Sequence, residues 1–389
     1  MGQSLPQFDF AIVGGGMVGA CAAALLASDG HRVALLEQAE PVAFAPEQPL
    51  DVRVSALSVA SVRLLEQVGA WGRILAMRAL PYTGLETWEW PGLGVRFDAA
   101  ELGLSELGHF VENRLVQLGL WQSLDEMPSV TRFCPAQLVA LAQTEEAVTL
   151  SLADGQQLQA RWLLGADGAH SQVRRLAQIG LSQFDYRQAC LLATVKLHQA
   201  VEPVTWQQFT PAGPRALLPL PEDHASLVWY DSPARIAELA ALSVDGLAAQ
   251  IRAHFPDRLP AFTLQRWGQF PLSRRHALHY GAGRVLLLGD AAHTIHPLAG
   301  QGVNLGFKDV ACLCQLVQQL GTDGEGTLLA RYQAARRRDV TLMQSAMDLF
   351  YLGFSNELAP LKLLRNLGLL AAQHGGPAKR RALRYALGL

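Results

Sequence analysis

Phe8 to Glu37, FDFAIVGGGMVGACAAALLASDGHRVALLE, leaves few folds open to this chain. Phe8 to Val13 is a run of mostly β-forming residues, Gly14-x-Gly16-x-x-Gly19 follows at once, an alanine-rich helix comes next, and His31 to Leu36 returns as a second strand. The pattern predicts a βαβ unit carrying a dinucleotide fingerprint. Gly14 allows the tight turn, Gly16 lets backbone approach a pyrophosphate, and Gly19 lets the helix pack against the strand, so that phosphate rests on the helix N-terminus. Glu37 ends the second strand 21 residues beyond Gly16, where a carboxylate accepts hydrogen bonds from adenosine ribose hydroxyls. A lone GxGxxG is a weak signal, because it fixes only three positions. Strand, turn, helix, strand and acid together are a specific one.

The charge-free run Phe10 to Ser28 is as long as a membrane span, but its four glycines and many alanines suit a packed helix instead. Half of the 389 residues are apolar, enough for a large core and two lobes. A formal charge of −2 offers no field for nucleic acid, which is excluded as a partner. Five cysteines with no CxxC predict reduced thiols and a cytoplasmic protein. No basic stretch precedes an apolar one at the N-terminus, so no signal peptide is expected, and Pro6 stands where a Met1-Gly2 acylation site needs Ser or Thr.

Further along, Asp51 to Leu57 is read as opening a helix that runs to about Val68, which puts Arg53 beside a helix start within reach of cofactor phosphate or ribityl oxygens. Thr83 to Trp90 and Gly94 to Ala99 read as strands, with Trp88 and Trp90 on one face. Glu112 to Trp121 begins a helix, Val130 to Phe133 is a strand, and Ala147 to Gln159 is a hairpin turning at Asp154-Gly155. Arg161 to Leu164 leads into GADGAHSQVR, 165–174, a glycine-bracketed acid between strand and helix. From Leu181 to Pro271 strand-like, aromatic-rich runs predict an antiparallel sheet in a second lobe, interrupted by helices from Pro233 and Val244. The chain then returns with the buried strand Gly283 to Leu288 and with GDAAHTIHPLAGQGVNLG, 289–306. Asp290 ends that strand and can hold cofactor hydroxyls, while Gly300 to Gly302 aim backbone N–H groups and a helix N-terminus at developing negative charge. His293 and His296 look like a metal pair, but no third ligand has matching spacing, so no metal is expected.

These three motifs, in this order, resemble the single-Rossmann flavoprotein aromatic hydroxylases. The last motif, with DVRVSALS and ENRLVQLGLW, is similar to the ubiquinone-biosynthesis branch. Within it, ETWEW, FDAAELGL, TWQQFTPAGPRALLPL, LVWYDSPARI and ALRYALGL resemble the demethoxyubiquinol hydroxylases over essentially the whole chain.

The resemblance implies an α/β fold: a discontinuous Rossmann-like FAD-binding domain (1–80, 101–180 and 276–345), an antiparallel-sheet substrate domain (81–100 and 181–275), and a C-terminal helical segment (346–389). It implies that Gly14, Gly16, Gly19 and Glu37 bind the ADP half of FAD, that Arg53, Arg114 and Gln117 line the cofactor groove, that Asp167 lies near the pyrophosphate, and that Asp290 holds the ribityl chain. Gly300 to Asn304, with Gly302, Val303 and Asn304 binding the cofactor, would face the isoalloxazine, and Pro297, Gly300, Gln301 and Gly302 would be the catalytic positions. NAD(P)H or another reductant would dock without a second GxGxxG.

The implied reaction uses dioxygen to hydroxylate a polyprenyl benzoquinol through a flavin hydroperoxide, most simply at the demethoxyubiquinol step. A sister hydroxylation, or a silent FAD-bound scaffold in a biosynthetic complex or homo-oligomer, are the alternatives. Trp88-Glu89-Trp90 resembles the WxW of flavin halogenases, but those need an N-terminal-half lysine and the first lysine here is Lys196. Residues 356–389 hold six basic residues against Glu357, among many leucines, which predicts a peripheral amphipathic contact with the inner membrane face.

Overall fold

In the computed structural model, which describes residues 5–297, 300–322 and 327–389, the chain builds three sheets. Met1 and Gly2, and Leu298 and Ala299 of the proline turn, lie outside these residues. The first sheet has a five-stranded parallel core in the order Val285–Leu287, Gln157–Gly165, Gln7–Val13, Val33–Leu36, Val130–Phe133. The predicted hairpin adds antiparallel Val148–Leu152 and then Leu138–Gln143. Helix Met17–Ser28 is buried from Gly19 to Ala27, packed against helices Asn113–Leu124 and Gly302–Leu320. Alanine recurs there because a helix apolar on every side needs small residues to let neighbours close in.

The second sheet runs His293–Thr294, Phe262–Ala277, Leu181–Leu197, His224–Asp231, Arg215–Leu220, Val204–Gln208, Gly84–Trp90, Leu93–Asp98. It is antiparallel apart from the pairing of Val204–Gln208 with Gly84–Trp90. The 84–98 excursion thus joins the sheet built by 181–277. A small third sheet, Val54–Ser58, Gly108–Glu112 and Leu80–Tyr82, bridges the two.

Two expectations are corrected. Asp51 to Leu57 is no helix: Val54–Ser58 is a strand paired with Gly108–Glu112, and the helix is Val59–Gln67, capped by the Ser58 hydroxyl. Trp88 and Trp90 do not share a buried face, because a bulge in the pairing with Leu93–Asp98 falls between them; Trp88 is buried and Trp90 exposed. The C-terminal part of the chain is a long helix, Thr327–Phe354, followed by a leucine helix, Ala359–Gln373, and a terminal helix, Gly376–Leu387.

A buried ionic knot joins the last parallel strand to the two helices after it. Asp309 is wholly buried; its Oδ1 accepts from Arg336 Nε at 2.6 Å, and its Oδ2 accepts from His293 Nε2 at 2.7 Å and from the Gly289 amide at 2.8 Å. Burial alone would raise this carboxyl, but the facing His293 and Arg336 hold it below the usual range. A carboxylate depressed in the fold contributes stability above its unfolded pKa, and that stability is lost as pH falls through the folded value. Asp309→Asn leaves Arg336 buried and short of its partner, so it should cost about 3–5 kcal/mol in denaturant unfolding, with the gap from wild type closing in acid. A variant as stable as wild type at neutral pH contradicts this role.

Candidate cofactor and substrate site

Four adjacent parallel strands end in register: Val13 pairs with Leu36 on one side and with Gly165 on the other, and Gly165 pairs with Leu287. The residues just beyond these ends are Gly14, Glu37, Asp167 and Asp290, so the sheet brings together four groups read from separate motifs. Ligands of open α/β sheets bind outside such strand ends.

The first turn is held by close packing. Gly14 has φ +102°, and a Cβ there would lie 2.5 Å from the Ala166 carbonyl oxygen; a Cβ on Gly19 would lie 1.8 Å from the Gly14 carbonyl oxygen. Gly16 differs, since a Cβ there meets no protein atom within 4 Å. Its lack of a side chain answers no clash within the protein and leaves open the space that a phosphate at the N-terminus of Met17–Ser28 would need.

Glu37 Oε2 accepts from the Gly15 amide at 2.5 Å, and Oε1 accepts from the Gln38 amide at 2.7 Å. Its carboxylate therefore shapes the turn and retains lone pairs for ribose hydroxyls. Gln117 Nε2 donates to the Gly15 carbonyl at 2.9 Å, and Trp121 Nε1 donates to the same oxygen at 2.7 Å. Trp121 lies one helical turn after Gln117, and that spacing is the signal by which it could have been found.

Arg114 is held by protein partners. Its Nε donates to Asp51 Oδ2 at 2.9 Å and its Nη1 to the Val42 carbonyl at 2.8 Å, pinning the 38–51 loop. Arg53 is exposed, with its guanidinium 5.6 Å from the Phe270 ring centre.

Asp167 Oδ2 caps the next helix, accepting from the Gln172 and Val173 amides at 2.6 and 3.1 Å, while its Oδ1 is buried without a hydrogen-bond partner. A buried acceptor of this kind invites a ligand donor or a water. Arg174, which the sequence reading passed over, ties this motif to the next through Ala169 and Ala291 carbonyls. Protein packed around Asp290 pushes its carboxyl above the ordinary range, opposed by His293, Arg53 and Arg275. One side of Asp290 is open to solvent, so the push is partial. The open space at Gly16, the orphan Asp167 oxygen and the exposed Asp290 at strand ends fit a dinucleotide.

Gly302 opens helix Gly302–Leu320, with Val303 in its first turn. Asn304 does not present its side chain to a ligand: Oδ1 accepts from the Ser58 amide and the Ser61 hydroxyl at 3.0 and 2.7 Å, and Nδ2 donates to the Ala56 and Gly300 carbonyls. It clamps the small sheet to the turn. His293 and His296 part company, His293 facing Asp309 and His296 buried among Tyr186 and Tyr230 at 4.6 and 5.6 Å between ring centres. Burial pushes His296 down to about 4, so its ring is neutral.

Against this turn lies a cavity of about 390 Å³, with Pro297, Gly300 and Gln301 at one end. Its walls come from all of the second lobe's central strands, the small sheet, the long helix and the terminal helix, and are mostly apolar. The Tyr230 hydroxyl donates to the Pro297 carbonyl at 3.3 Å and supplies one of its few polar groups.

Gly16→Val should abolish flavin retention while the apoprotein keeps its melting temperature, whereas Gly19→Ala should destabilise the fold itself. Stoichiometric flavin in purified Gly16→Val contradicts the phosphate assignment. Asp290→Ala should weaken flavin affinity with little change in apoprotein melting; the reverse pattern marks a structural role.

The FAD binding domain family matches residues 7–346. The chain is 51% identical to the 3-demethoxyubiquinol 3-hydroxylase of Escherichia coli K12 over 385 residues, covering 98% of each. It is 34% identical to the ubiquinone biosynthesis monooxygenase COQ6 of Xenopus tropicalis, covering 97% of this chain and 93% of the other. Its fold is similar to that of p-nitrophenol 4-monooxygenase PnpA from Pseudomonas putida, with a TM-score of 0.80 at 20% identity over 98% of this chain and 99% of that one. Matched along most of its length and half identical to a named hydroxylase, the chain belongs to the FAD binding domain family and is an FAD-dependent monooxygenase.

Proposed function

We propose that this chain hydroxylates the benzoquinol ring of a polyprenylated ubiquinone precursor, at the 3-demethoxyubiquinol step named for its half-identical relative. The observation that carries the reading is the apolar cavity ending on the Pro297 to Gln301 turn, directly before helix Gly302–Leu320. Bound FAD, reduced by NAD(P)H or another donor, supplies the activation of dioxygen. The protein supplies placement. Helix dipole and free amides at Gly302 and Val303 favour anionic charge on a cofactor ring there, and the apolar walls keep water from the reacting atoms. A quinol ring is already electron-rich, so no side chain is assigned as a unique base. Pro297, Gly300, Gln301 and Gly302 act through position and backbone, and Tyr230 holds the Pro297 carbonyl. Cells lacking this protein should accumulate the 3-demethoxy quinone and regain ubiquinone on complementation; accumulation of a different intermediate assigns it to a sister step.

The same reading places the enzyme in reversible contact with the cytoplasmic face of the inner membrane. Among the described residues no helix is long and apolar enough to cross a bilayer. The leucine helix is instead packed inside-out. Its Arg365 makes a two-pronged pair with buried Glu89 at 2.8 and 2.5 Å, and wholly buried Asn366 accepts from the Trp90 amide, while Leu361, Leu363, Leu364 and Leu367 face solvent. A helix that buries its polar side and exposes leucine marks an interaction surface.

Of the six basic residues in 356–389, Arg365 and Lys379 are engaged in the fold, Lys379 with Glu101 at 2.8 Å. Lys362 sits over the Trp90 ring at 5.9 Å, and exposed Arg380, Arg381 and Arg384 remain for anionic lipid, at about 1 kcal/mol for each near the surface. The holoprotein should sediment with anionic vesicles at low salt and release at high salt. Arg380, Arg381 and Arg384 changed together to Gln should weaken this, and undiminished binding contradicts the assigned surface.

A further inference from the structure

The lining of the cavity beside Pro297 reaches the surface on separate elements, each a candidate mouth. Of the residues that line it, Gly300, Phe350 and Ala382 are the exposed ones. Gly300 belongs to the turn before Gly302–Leu320. Phe350 and Ala382 belong to the long and terminal helices. We infer that the second mouth, between the long helix at Phe350 and the terminal helix at Ala382, is the exit through which the substrate's isoprenoid tail leaves the cavity. This rests on the ring-hydroxylase reading above.

The volume requires an exit. A cavity of roughly 150 Å³ takes one benzene ring, so a cavity of 390 Å³ takes a substituted quinol ring and about one five-carbon unit. A polyprenyl chain cannot be enclosed with its ring. The Gly300 mouth cannot serve, because a cofactor ring on the Pro297 to Gly302 turn occupies that side. The other mouth suits a hydrocarbon that must pass from protein into lipid.

Phe350 is 41% exposed although it forms part of the inner wall, and it stacks parallel to Phe209 and Phe354, with ring centres 6.3 and 6.1 Å away. An aromatic ladder therefore leads from the wall to the surface. Outside it, Leu349 and Leu352 of the long helix are 72% and 66% exposed, a cost in water that a monomer has no reason to bear singly at adjacent turns. On the terminal helix, exposed Arg380, Arg381 and Arg384 bracket Ala382. The mouth thus carries hydrocarbon on one lip and positive charge on the other, which matches the acyl region and headgroups of an anionic leaflet. Membrane contact and substrate entry are one geometry on this account: the enzyme lies with the mouth on the bilayer and admits the ring first.

The test compares two quinones on the holoenzyme, one with a single isoprene unit and one with a tail of several units in mixed micelles, read by quenching of flavin fluorescence. Wild type should bind the long-tailed form more tightly. Ala382→Trp, which narrows the mouth, should lower the long-to-short affinity ratio by tenfold or more, and Leu352→Glu, outside the cavity, should lower it in the same direction. Flavin content and melting temperature are measured for each. Where Ala382→Trp loses flavin or stability, Leu352→Glu carries the result alone. An unchanged ratio in Leu352→Glu, or an equal loss for both quinones in a stable Ala382→Trp holoenzyme, overturns the exit. Hydroxylation of the one-unit quinol by wild type is assayed separately: its failure sinks the ring-hydroxylase reading, while the binding ratio still decides whether this mouth takes a tail.

Discussion

The approach of Gly19 to the Gly14 carbonyl is the contact on which the rest of the molecule depends. With no Cβ at either position, helix Met17–Ser28 descends onto the strand before it, and Gly14 meets the backbone at Ala166. That seats the first motif against the second. The in-register ends of four parallel strands then align Glu37, Asp167 and Asp290 along one edge. A methyl group at Gly19 would push the helix outward and disperse the site without touching any ligand-facing group.

The other lobe is coupled to this edge through polar clamps rather than through one continuous core. Asn304 joins the small sheet to the proline turn, Arg275 of the second sheet donates to the Ala169 carbonyl of the second motif, and Gln344 of the long helix donates to the Arg275 and Thr294 carbonyls. Buried charge and amide groups are poor sources of net stability, but each satisfied partner specifies one arrangement. Specification matters where a ring in the cavity must meet a cofactor ring at reacting distance.

What could be read from the sequence follows from how local each feature is. The GxGxxG unit, the hairpin at Asp154-Gly155 and helix Gly302–Leu320 are set by neighbours in the chain, and all three were legible. Val54–Ser58 was misread because its residues continue the pattern of the helix after it, while its strand state is imposed by pairing with Gly108–Glu112 some fifty residues away. Trp90 escaped through a bulge, which shifts the period by one residue. The side-chain partners of Arg114, Gln117 and Asn304, which are Asp51, Gly15 and Ser58, could not be inferred from spacing. The cavity was invisible altogether, since its walls are drawn from two sheets and two C-terminal helices. The same is true of the inside-out leucine helix, because Glu89, the partner of Arg365 and Asn366, lies far off in sequence.

The central claim is that the cavity beside Pro297 holds a quinol ring for oxygen transfer. It is tested most directly by turnover of a one-isoprene demethoxy quinol by the purified holoenzyme under ¹⁸O₂, with mass spectrometry of the product. The account predicts one ¹⁸O atom per ring, at the open ring position, with reductant consumption matched to product. Reductant consumption that yields hydrogen peroxide and no labelled ring, from a stable flavin-loaded enzyme, contradicts it.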